Sequence, residues 1–427
     1  MEANTVIDYS KLPDFQFICL DFKSYYSSVE CVYRGLDPLQ AYLAVVDNLN
    51  RPGSVVLTAS PLLKKEYGIK TGSRLYEIPA DPRIIVVPAR RERYLKISVA
   101  VTKLLNRFVP IEAIHTYSID EAHICALGTS ALYGSPRQLA ELIRQTIHHE
   151  FSLPTAAGVG PNKLLSKLIL DVQGKKIGVA ECTYQDIPAK LWPVKIEEIW
   201  GIGQKLKQRL NRLGIFILKD LAHFSLPVLR KRFGKIIGDQ LYMHSWGVDG
   251  SSPFIDPLSI PKAKGYSAGI TLLRDFEPSE VSVPIYELAD EVTQRMRKGG
   301  MVARTISLGI GYSRTEGQGG FSKSITLSEA TNISKTIHDA CMQLFWSVPQ
   351  GPAIRNVHVS ASNLIPEDQI QLVLGEDPRE AEKQQQLGRV MDFCREKYGA
   401  AGLFRASSLT SRGNAVDRQL KIGGNYQ

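Results

Sequence analysis

Short apolar runs alternate with amphipathic stretches through residues 15–172. Residues 15–20 are mostly apolar, aromatic or β-branched and too few for a helix, which predicts a buried strand that ends at Asp21. In residues 91–108 apolar side chains recur three or four positions apart, which predicts an amphipathic helix. The same criteria predict further strands at 54–58, 114–119 and 156–160 and further helices at 24–33, 137–151 and 162–172. This alternation indicates an α/β or α+β fold.

The pattern changes after residue 187. Residues 187–250 read as short helices broken by Gly and Pro, and Lys and Arg outnumber acids there by 11 to 5. A stretch with Pro and Ser, residues 250–264, has the character of a linker. Strands are then predicted at 265–273, 305–312, 321–326 and 354–360, and helices at 282–297, 333–346 and 376–398. The four strands with the first two of these helices suggest a small α+β sandwich.

Composition narrows the class of protein. With 427 residues and 44% hydrophobic side chains, the chain is long enough for several domains. No apolar run approaches the length of about 18 residues of a membrane span, and the first residues lack the pattern of a secretion signal. A cytoplasmic location with no membrane partner is therefore expected, and the six cysteines are expected to be reduced thiols. The net charge of +9 favours a polyanionic partner, with general solubility as the alternative.

Three acids follow predicted buried strands, namely Asp21 and the adjacent pair Asp120 and Glu121. If the strands are neighbours in one sheet, three carboxylates converge, and a divalent cation such as Mg²⁺ would balance their charge. Two such ions suit nucleotidyl transfer, in which a hydroxyl attacks and pyrophosphate leaves. The alternative is that Asp21 caps a helix while the other two acids are exposed in a loop.

The adjacent pair raises a geometric difficulty. Successive residues of a regular strand point to opposite faces, so Asp120 and Glu121 could not both reach one site. We therefore predict a turn or bulge at Glu121.

Two sequence motifs carry a resemblance to a known family. DFKSYYSSVE begins at Asp21, and YSIDEA, which begins at Tyr117, contains Asp120, 99 positions after the first acid. Together they resemble the Y-family, lesion-bypass DNA polymerases, and most of all their bacterial UmuC-like (ImpB-MucB-SamB) branch. The resemblance implies a multidomain α+β fold of the right-hand polymerase type. Its predicted domains are a palm (1–30 and 80–187), small fingers (31–79), a helix-hairpin-helix thumb (188–250), a linker (251–264), a little finger (265–366) and a C-terminal tail (367–427).

The same resemblance assigns roles at the acids. Asp21 and Asp120 would bridge two Mg²⁺ ions, Glu121 would bind the ion at the primer terminus, and the carbonyl of Phe22 would help to hold the ion on the nucleotide side. Tyr26 falls at the sugar-gate position, where an aromatic ring leaves room for hydrogen at C2′ but not for a hydroxyl. The alternative for Tyr26 is an aromatic side chain packed inside the first helix.

Basic residues at two positions match phosphate ligands of the family. Aligned on Tyr67 and Gly68, Lys65 corresponds to the basic residue that the fingers present to the triphosphate, while Leu62 stands where the family usually has tyrosine. Lys175 corresponds to a second phosphate lysine. The spacing leaves Lys176 as a competitor.

A basic segment and a third domain supply candidate DNA contacts. WGIGQKL, from position 200, has the form of a helix-hairpin-helix turn, in which Gly201, Gly203 and Lys205 would approach a DNA phosphate. The third domain resembles the little finger of the family. Its candidate contacts to the DNA backbone are Arg304, Ser307, Arg314 and Lys323.

A short peptide near the C-terminus resembles a sliding-clamp-binding motif. In QLVLG, residues Gln371, Leu372 and Leu374 match the motif, but Gly375 replaces its phenylalanine. Loss of that aromatic anchor is expected to weaken clamp binding. The expected partners are primer-template DNA, a deoxynucleoside triphosphate and this clamp, and the need for accessory proteins of the SOS response stays open.

The sequence thus favours an error-prone, template-directed DNA polymerase that performs translesion synthesis in DNA damage tolerance. Two alternatives remain. A non-catalytic DNA-binding or scaffold relative could dispense with the three acids, and a palm-type nucleotide cyclase would need neither the basic segment nor the clamp peptide.

Overall fold

The computed structural model describes residues 7–51, 53–254, 263–313, 319–349, 351–367, 378–419, 421–422 and 425–426. The chain divides into two compact units, residues 1–260 and residues 261–426. The clamp-like peptide with Gln371, Leu372 and Leu374 lies outside the described residues, as does Arg314.

The first unit contains two sheets and a helical region. Its strands are β1 (Phe17–Phe22), β2 (Leu43–Val46), β3 (Val56–Ala59), β4 (Ile85–Pro88), β5 (Ile114–Thr116), β6 (Glu121–Cys125), β7 (Thr155–Gly160) and β8 (Val179–Glu181). Its helices are α1 (Tyr25–Tyr33), α2 (Pro61–Tyr67), α3 (Arg91–Leu105), α4 (Ser130–Tyr133), α5 (Pro136–Phe151), α6 (Lys163–Ile169), α7 (Lys175–Ile177), α8 (Ile187–Lys190), α9 (Gln204–Asn211), α10 (Leu218–Ala222), α11 (Leu226–Phe233) and α12 (Lys235–Ser245).

The larger sheet has the strand order β5-β6-β1-β7-β8, with β1 antiparallel to both of its neighbours. The central strand β1 is almost entirely apolar because both faces of the sheet are covered. On one face Ile18 and Leu20 join a core that includes side chains of α3 and α5. On the other face Cys19 packs with Leu170, just after α6.

A glycine lets α6 approach the sheet closely. A Cβ atom at Gly158 of β7 would lie 2.1 Å from the backbone oxygen of Ser166 in α6, so a larger residue would push the helix away. Because of this close packing, Lys167 of α6 lies directly over the end of the central strands.

A smaller sheet, β3-β2-β4, forms a separate core with α2. The helices after residue 187 pack around a third core that contains Leu210, Ile215, Leu221 and Trp246. Trp246 Nε1 donates a hydrogen bond of 2.8 Å to the carbonyl of Ala222, so its buried polar atom is satisfied.

The second unit contains a sheet with helices packed against it. Its helices are α13 (Ser282–Lys298), α14 (Ser334–Trp346), α15 (Pro378–Tyr398) and α16 (Ala415–Gln419). Its strands are β9 (Gly265–Phe276), β10 (Met301–Tyr312), β11 (Gly320–Thr331), β12 (Ile354–Pro366), β13 (Lys421–Ile422) and β14 (Asn425–Tyr426). The main sheet has the order β11-β10-β12-β9, and α13 and α14 bury apolar side chains against it. The α+β sandwich predicted from the sequence is therefore present.

The C-terminal segment is attached to the helices of this unit by ion pairs. Arg405 donates to both carboxylate oxygens of Asp290 in α13, at 2.6 and 3.0 Å. Arg297 of α13 makes a similar pair with Asp392 of α15, at 2.6 and 2.9 Å. Bidentate arginine pairs of this kind fix orientation as well as charge.

The strand prediction next to the paired acids was wrong in its bounds. The strand predicted at 114–119 ends at Thr116, and the chain turns before a further strand, β6, begins at Glu121. The backbone amides of Tyr117 and Ser118 both donate to the carbonyl of Glu121, at 2.9 and 3.1 Å, which closes the turn. Asp120 therefore lies in the turn and Glu121 at the start of β6, and neither is at the end of the preceding strand.

Candidate active site

Asp21 and Glu121 are cross-strand partners in the larger sheet. The antiparallel register of β1 and β6 places Asp21 opposite Glu121. Directly opposed residues of an antiparallel pair point to the same face, so the two carboxylates share one side of the sheet. This is the face covered by α6.

Asp120 lies in the turn that precedes β6. Its backbone carbonyl accepts a hydrogen bond of 3.1 Å from the amide of Phe22, which holds the turn beside the end of β1. Its side chain accepts a bond of 2.7 Å from Ser118 Oγ. The change of direction predicted at Glu121 thus occurs immediately before it, and Glu121 keeps the regular pairing of a strand. The turn frees Asp120 from strand alternation.

Two lysines on the covering helices neutralise the carboxylates. Lys167 Nζ lies 2.8 Å from Glu121 Oε2, 3.6 Å from Asp21 Oδ2 and 3.3 Å from Asp171 Oδ1. Lys175 Nζ lies 3.0 Å from the same Asp21 oxygen and 2.9 Å from Asp171 Oδ1. Of the two lysines that the sequence left in competition, Lys175 is therefore the one at the acids.

Lys167 was missed by the sequence prediction. A signal for it exists in the sequence, because Ser166 and Lys167 interrupt the apolar residues of α6. In the structure the side chain of Lys167 is only 6% exposed. Lysine is almost never buried without an anionic partner. A lysine among the apolar residues of a predicted helix therefore predicts an acid that faces it.

Burial sets the protonation behaviour of the site. It raises the pKa values of Asp21 and Glu121 above their usual range, because it disfavours the charged carboxylate. Burial acts to lower the pKa of Lys167, but the hydrogen bond to Glu121 and the charge of Asp171 outweigh it, so the pKa rises. The acids and lysines thus form one coupled charge cluster.

The oxygen donors fit a hard divalent cation. Asp21 in β1, Asp120 in the turn and Glu121 at the start of β6 offer carboxylate oxygens, and carboxylates are the ligands that Mg²⁺ prefers. The ammonium groups of Lys167 and Lys175 already show that positive charge is stable at this point. The donor set and its electrostatics are compatible with the metal expected from the sequence.

Tyr26 packs face to face with another tyrosine. Its ring and that of Tyr94 in α3 are stacked, with 4.3 Å between centroids. Tyr26 is partly exposed near the start of α1. The structure therefore supports its ring from one side and leaves part of it accessible.

In α2 the structure distinguishes two neighbouring lysines. The predicted phosphate ligand Lys65 is exposed. Lys64 instead turns towards the acids, where its Nζ donates a bond of 2.7 Å to Ser24 Oγ. Burial and the nearby charge of Lys175 lower the pKa of Lys64. The alignment on Tyr67 pointed to Lys65, but the helix directs its neighbour towards the site.

The proposed DNA-binding turn precedes α9. Gly201 has a φ of +88°, a conformation that favours glycine. Gly203 has an ordinary φ of −77° and is the residue before the first turn of α9, and Lys205 is exposed within that turn. Only Gly201 is therefore required by backbone conformation.

Comparisons with known proteins agree with this description. The model of the impB/mucB/samB family matches residues 20–171, and the model of that family's C-terminal domain matches residues 263–374. A model described as the thumb domain of DNA polymerase iota matches residues 197–249. The matched ranges cover all three acids and the glycine turn.

Full-length relatives are also similar. UvrX of Bacillus subtilis (strain 168), named for UV-damage repair, is 43% identical over 426 residues, covering 98% of this chain and 99% of the relative. DNA polymerase IV 2 of the same organism is 33% identical over 415 residues, with 96% and 98% covered. DNA polymerase IV of Moorella thermoacetica is 34% identical over 409 residues, with 94% and 98% covered.

A solved structure shows the same fold. A Y-family DNA polymerase chimera of Dbh and Dpo4 aligns with a TM-score of 0.64 and 24% identity, covering 82% of this chain and 99% of its own. In the part of the chain that the structure describes, no helix is long and apolar enough to cross a membrane. The predicted family and fold class are confirmed, and this chain belongs to the impB/mucB/samB family of Y-family DNA polymerases.

Proposed function

We propose that this chain is an error-prone, template-directed DNA polymerase that performs translesion synthesis in DNA damage tolerance. The observation that carries the proposal is the pairing of Asp21 with Glu121 beside Lys167 and Lys175, with Asp120 in the adjoining turn. A site built only for binding DNA would have no need for buried acids, because they repel phosphate.

Each residue has a defined task in this reaction. Asp21, Asp120 and Glu121 would hold two Mg²⁺ ions, with the carbonyl of Phe22 as a further ligand on the nucleotide side. Bound there, the metal supplies charge stabilisation for the attacking hydroxyl and the leaving pyrophosphate. The ring of Tyr26 would exclude a ribose 2′-hydroxyl from the site.

The lysines would bind the triphosphate of the incoming nucleotide. Lys175 and Lys64 lie close enough to Asp21 for their charges to act on one another. A fixed cation near the triphosphate offsets the charge that develops on the leaving group. We retain Lys65 as a more peripheral contact, since its side chain is exposed.

Other parts of the chain would hold the primer-template. The amides after Gly203 and the ammonium of Lys205 would contact a DNA phosphate, without reading base sequence. Palm, fingers, thumb, little finger and tail keep the bounds predicted from the sequence. Gln371, Leu372 and Leu374 would dock on a sliding clamp, more weakly than a peptide that has the aromatic anchor. Cytoplasmic location and accessory SOS proteins remain part of the proposal.

Primer extension with Mg²⁺ tests the proposal. The intact chain is expected to extend a primer past a template abasic site, and Asp120→Asn is expected to abolish extension on all templates. Glu112→Gln is the matched control, because Glu112 is an exposed acid of the same unit. Equal extension by Asp120→Asn and the intact chain would refute the mechanism. Extension of undamaged template alone would refute the translesion role.

The two alternatives predict different outcomes. A nucleotide cyclase would consume a nucleoside triphosphate and release pyrophosphate without any DNA. A non-catalytic relative would bind primed template with the expected salt dependence but extend nothing.

A further inference from the structure

The two oxygens of the Glu121 carboxylate face different chemical groups. Oε2 accepts the hydrogen bond from Lys167 at 2.8 Å. Oε1 faces Cys19 Sγ at 3.5 Å and His123 Nε2 at 3.7 Å. Oε2 of this carboxylate therefore contacts the ammonium group of a lysine, whereas Oε1 faces a thiol and an imidazole.

The sheet register produces this arrangement. Asp21 pairs with Glu121, and two residues earlier on β1 Cys19 pairs with His123. Residues two apart in a strand point to the same face, so all four side chains form a block on the side covered by α6. The thiol and the imidazole are thus held beside the acids by the backbone hydrogen bonds of two central strands.

The imidazole is poorly satisfied as a core residue. His123 is only 6% exposed, and among the described residues its Nδ1 has no hydrogen-bond partner. Its other nitrogen is directed at Glu121 Oε1. A buried imidazole whose Nδ1 has no partner is uncommon in a protein core, and its Nε2 is the nitrogen that a cation beside Glu121 and Cys19 would bind.

We propose that Cys19, Glu121 and His123 form a cation site for a thiophilic divalent ion such as Zn²⁺, and that its occupancy stops DNA synthesis by withdrawing Glu121 from Mg²⁺. The site itself stands independently, and its inhibitory effect rests on the proposed polymerase activity.

Geometry and charge agree with this assignment. The three ligand atoms lie within 4.8 Å of one another, and zinc bonds of about 2.0 to 2.3 Å would draw them closer together. Binding forms a bond from sulfur to zinc and releases the thiol proton to solvent. One thiolate and one carboxylate then balance the ion's two charges, with a neutral imidazole as third ligand. Mg²⁺ does not compete for sulfur, so the two sites differ in selectivity.

Lys167 can stay in place while the new site is filled. It bonds Oε2 of Glu121, whereas the thiol and imidazole approach Oε1. Inhibition therefore comes from capture of Glu121 by the second ion, without loss of the surrounding ion pairs.

Cobalt is a suitable spectroscopic probe for the site. The metal-free full-length chain is titrated with Co²⁺ while the charge-transfer band between thiolate and cobalt and the visible bands of tetrahedral cobalt are recorded. We expect both in the intact chain. Cys19→Ala should lose the charge-transfer band, and His123→Gln should bind Co²⁺ at least about 100-fold more weakly, since even groups outside the ligand shell change affinity by about 10- to 100-fold.

A control on the same strand guards against general effects of cysteine loss. Cys125 is two residues beyond His123, on the same face of β6, and its Sγ lies 3.3 Å from the carbonyl of Phe15. Cys125→Ala should keep the charge-transfer band. Absence of the band in the intact chain, or its persistence in Cys19→Ala, would overturn the site. If Cys19→Ala fails to fold, His123→Gln decides the question.

Inhibition is measured separately. Primer extension at constant Mg²⁺ is compared with and without Zn²⁺, each variant against its own zinc-free rate. The intact chain and Cys125→Ala should slow at least about tenfold at a Zn²⁺ concentration that changes His123→Gln less than about twofold. Equal slowing of all three would overturn the inhibitory role. A chain that extends no primer in Mg²⁺ alone would refute the proposed function and this effect, while the cobalt titration would still decide the metal site.

Discussion

The ring of Tyr26 stacks on the ring of Tyr94, with 4.3 Å between centroids and 18° between planes. Tyr94 is in turn fixed by its hydroxyl, which donates a bond of 2.9 Å to the buried carboxylate of Glu30. Arg90 and Arg34 pair with the same carboxylate. The proposed sugar gate is therefore supported by a second ring that a buried ion-pair network holds in place.

The support of the gate leads to a test of nucleotide selection. Tyr26→Ala is expected to admit ribonucleotides. Tyr94→Leu should reduce discrimination about 2- to 10-fold, because an aromatic pair contributes about 0.5 to 1.5 kcal/mol to the position of the ring. Tyr94→Phe keeps the stacked ring but loses the hydrogen bond to Glu30, so it separates the effect of stacking from that of the hydroxyl. The measurement is the ratio of kcat/KM for deoxyribonucleotides over ribonucleotides, and an unchanged ratio in Tyr26→Ala would remove the gate assignment.

Glu30 should make stability depend on pH. Burial acts to raise its pKa, but the hydrogen bonds from Arg90, Arg34 and Tyr94 outweigh it and hold the pKa below its usual value of 4.5. A carboxylate with a lowered pKa stabilises the fold above the unfolded-state value, and this contribution is lost as the pH falls through the folded-state value.

Glu30→Gln is therefore expected to lower the free energy of unfolding by about 3 kcal/mol near neutral pH, since it leaves two arginines without their buried partner. The difference from the intact chain should narrow in acid. Urea unfolding at about pH 7 and about pH 3 measures it, with Glu112→Gln as control. A deficit that is the same at both pH values would contradict the assignment of the charge to Glu30.

Lys167 and Mg²⁺ should compete for the same negative charge. Lys167→Met leaves Asp21, Glu121 and Asp171 with one cation fewer, so we expect a lower Tm in metal-free buffer. Without the competing ammonium of Lys167, Mg²⁺ should bind the carboxylates of this variant more tightly. Since a ligand of the folded state stabilises it according to its affinity, added Mg²⁺ should raise the Tm of the variant more than that of the intact chain. Lys176, which follows Lys175 in the chain, is exposed, so Lys176→Met should show the same Tm and the same Mg²⁺ shift as the intact chain. If Mg²⁺ raised the Tm of Lys167→Met and of the intact chain equally, the ion and the lysine would not compete for the same carboxylates.

The two glycines before α9 should respond differently to alanine. Gly201→Ala places a side chain at φ +88°, which costs about 1 to 2 kcal/mol, so both Tm and DNA affinity should fall. Gly203→Ala has ordinary dihedrals and open space around the new Cβ, so Tm should be unchanged. If a phosphate approaches the start of α9, this second variant should still bind primer-template more weakly, as measured by fluorescence anisotropy at constant salt. Unchanged affinity in Gly203→Ala would place the phosphate contact elsewhere.

Most elements could be predicted because their signals are local. The runs that became β1, α3 and α5 carry their own periodicity, so their bounds needed only small changes. The strands of the second unit were found as well, but β11 (Gly320–Thr331) and β12 (Ile354–Pro366) extend well beyond the predicted 321–326 and 354–360. The hairpin at Asp120 was harder, since residues 114–119 look like one strand until the bonds to Glu121 are known. Alignment could not show which lysine of α2 faces the acids. Lys64 and Lys65 are adjacent in a helix and therefore point in different directions, and only the packing of the helix shows which of them is turned to the site.

The amino-acid sequence alone determined the family, the class of fold and the three candidate acids, because these follow from short motifs, each of which spans only a few neighbouring residues. The tertiary structure decided which groups meet those acids. Lys167, Cys19 and His123 reach Glu121 only through strand register and the close approach of α6 at Gly158. Such contacts join residues far apart in the chain, and their geometry is set by backbone pairing and packing that no local pattern encodes.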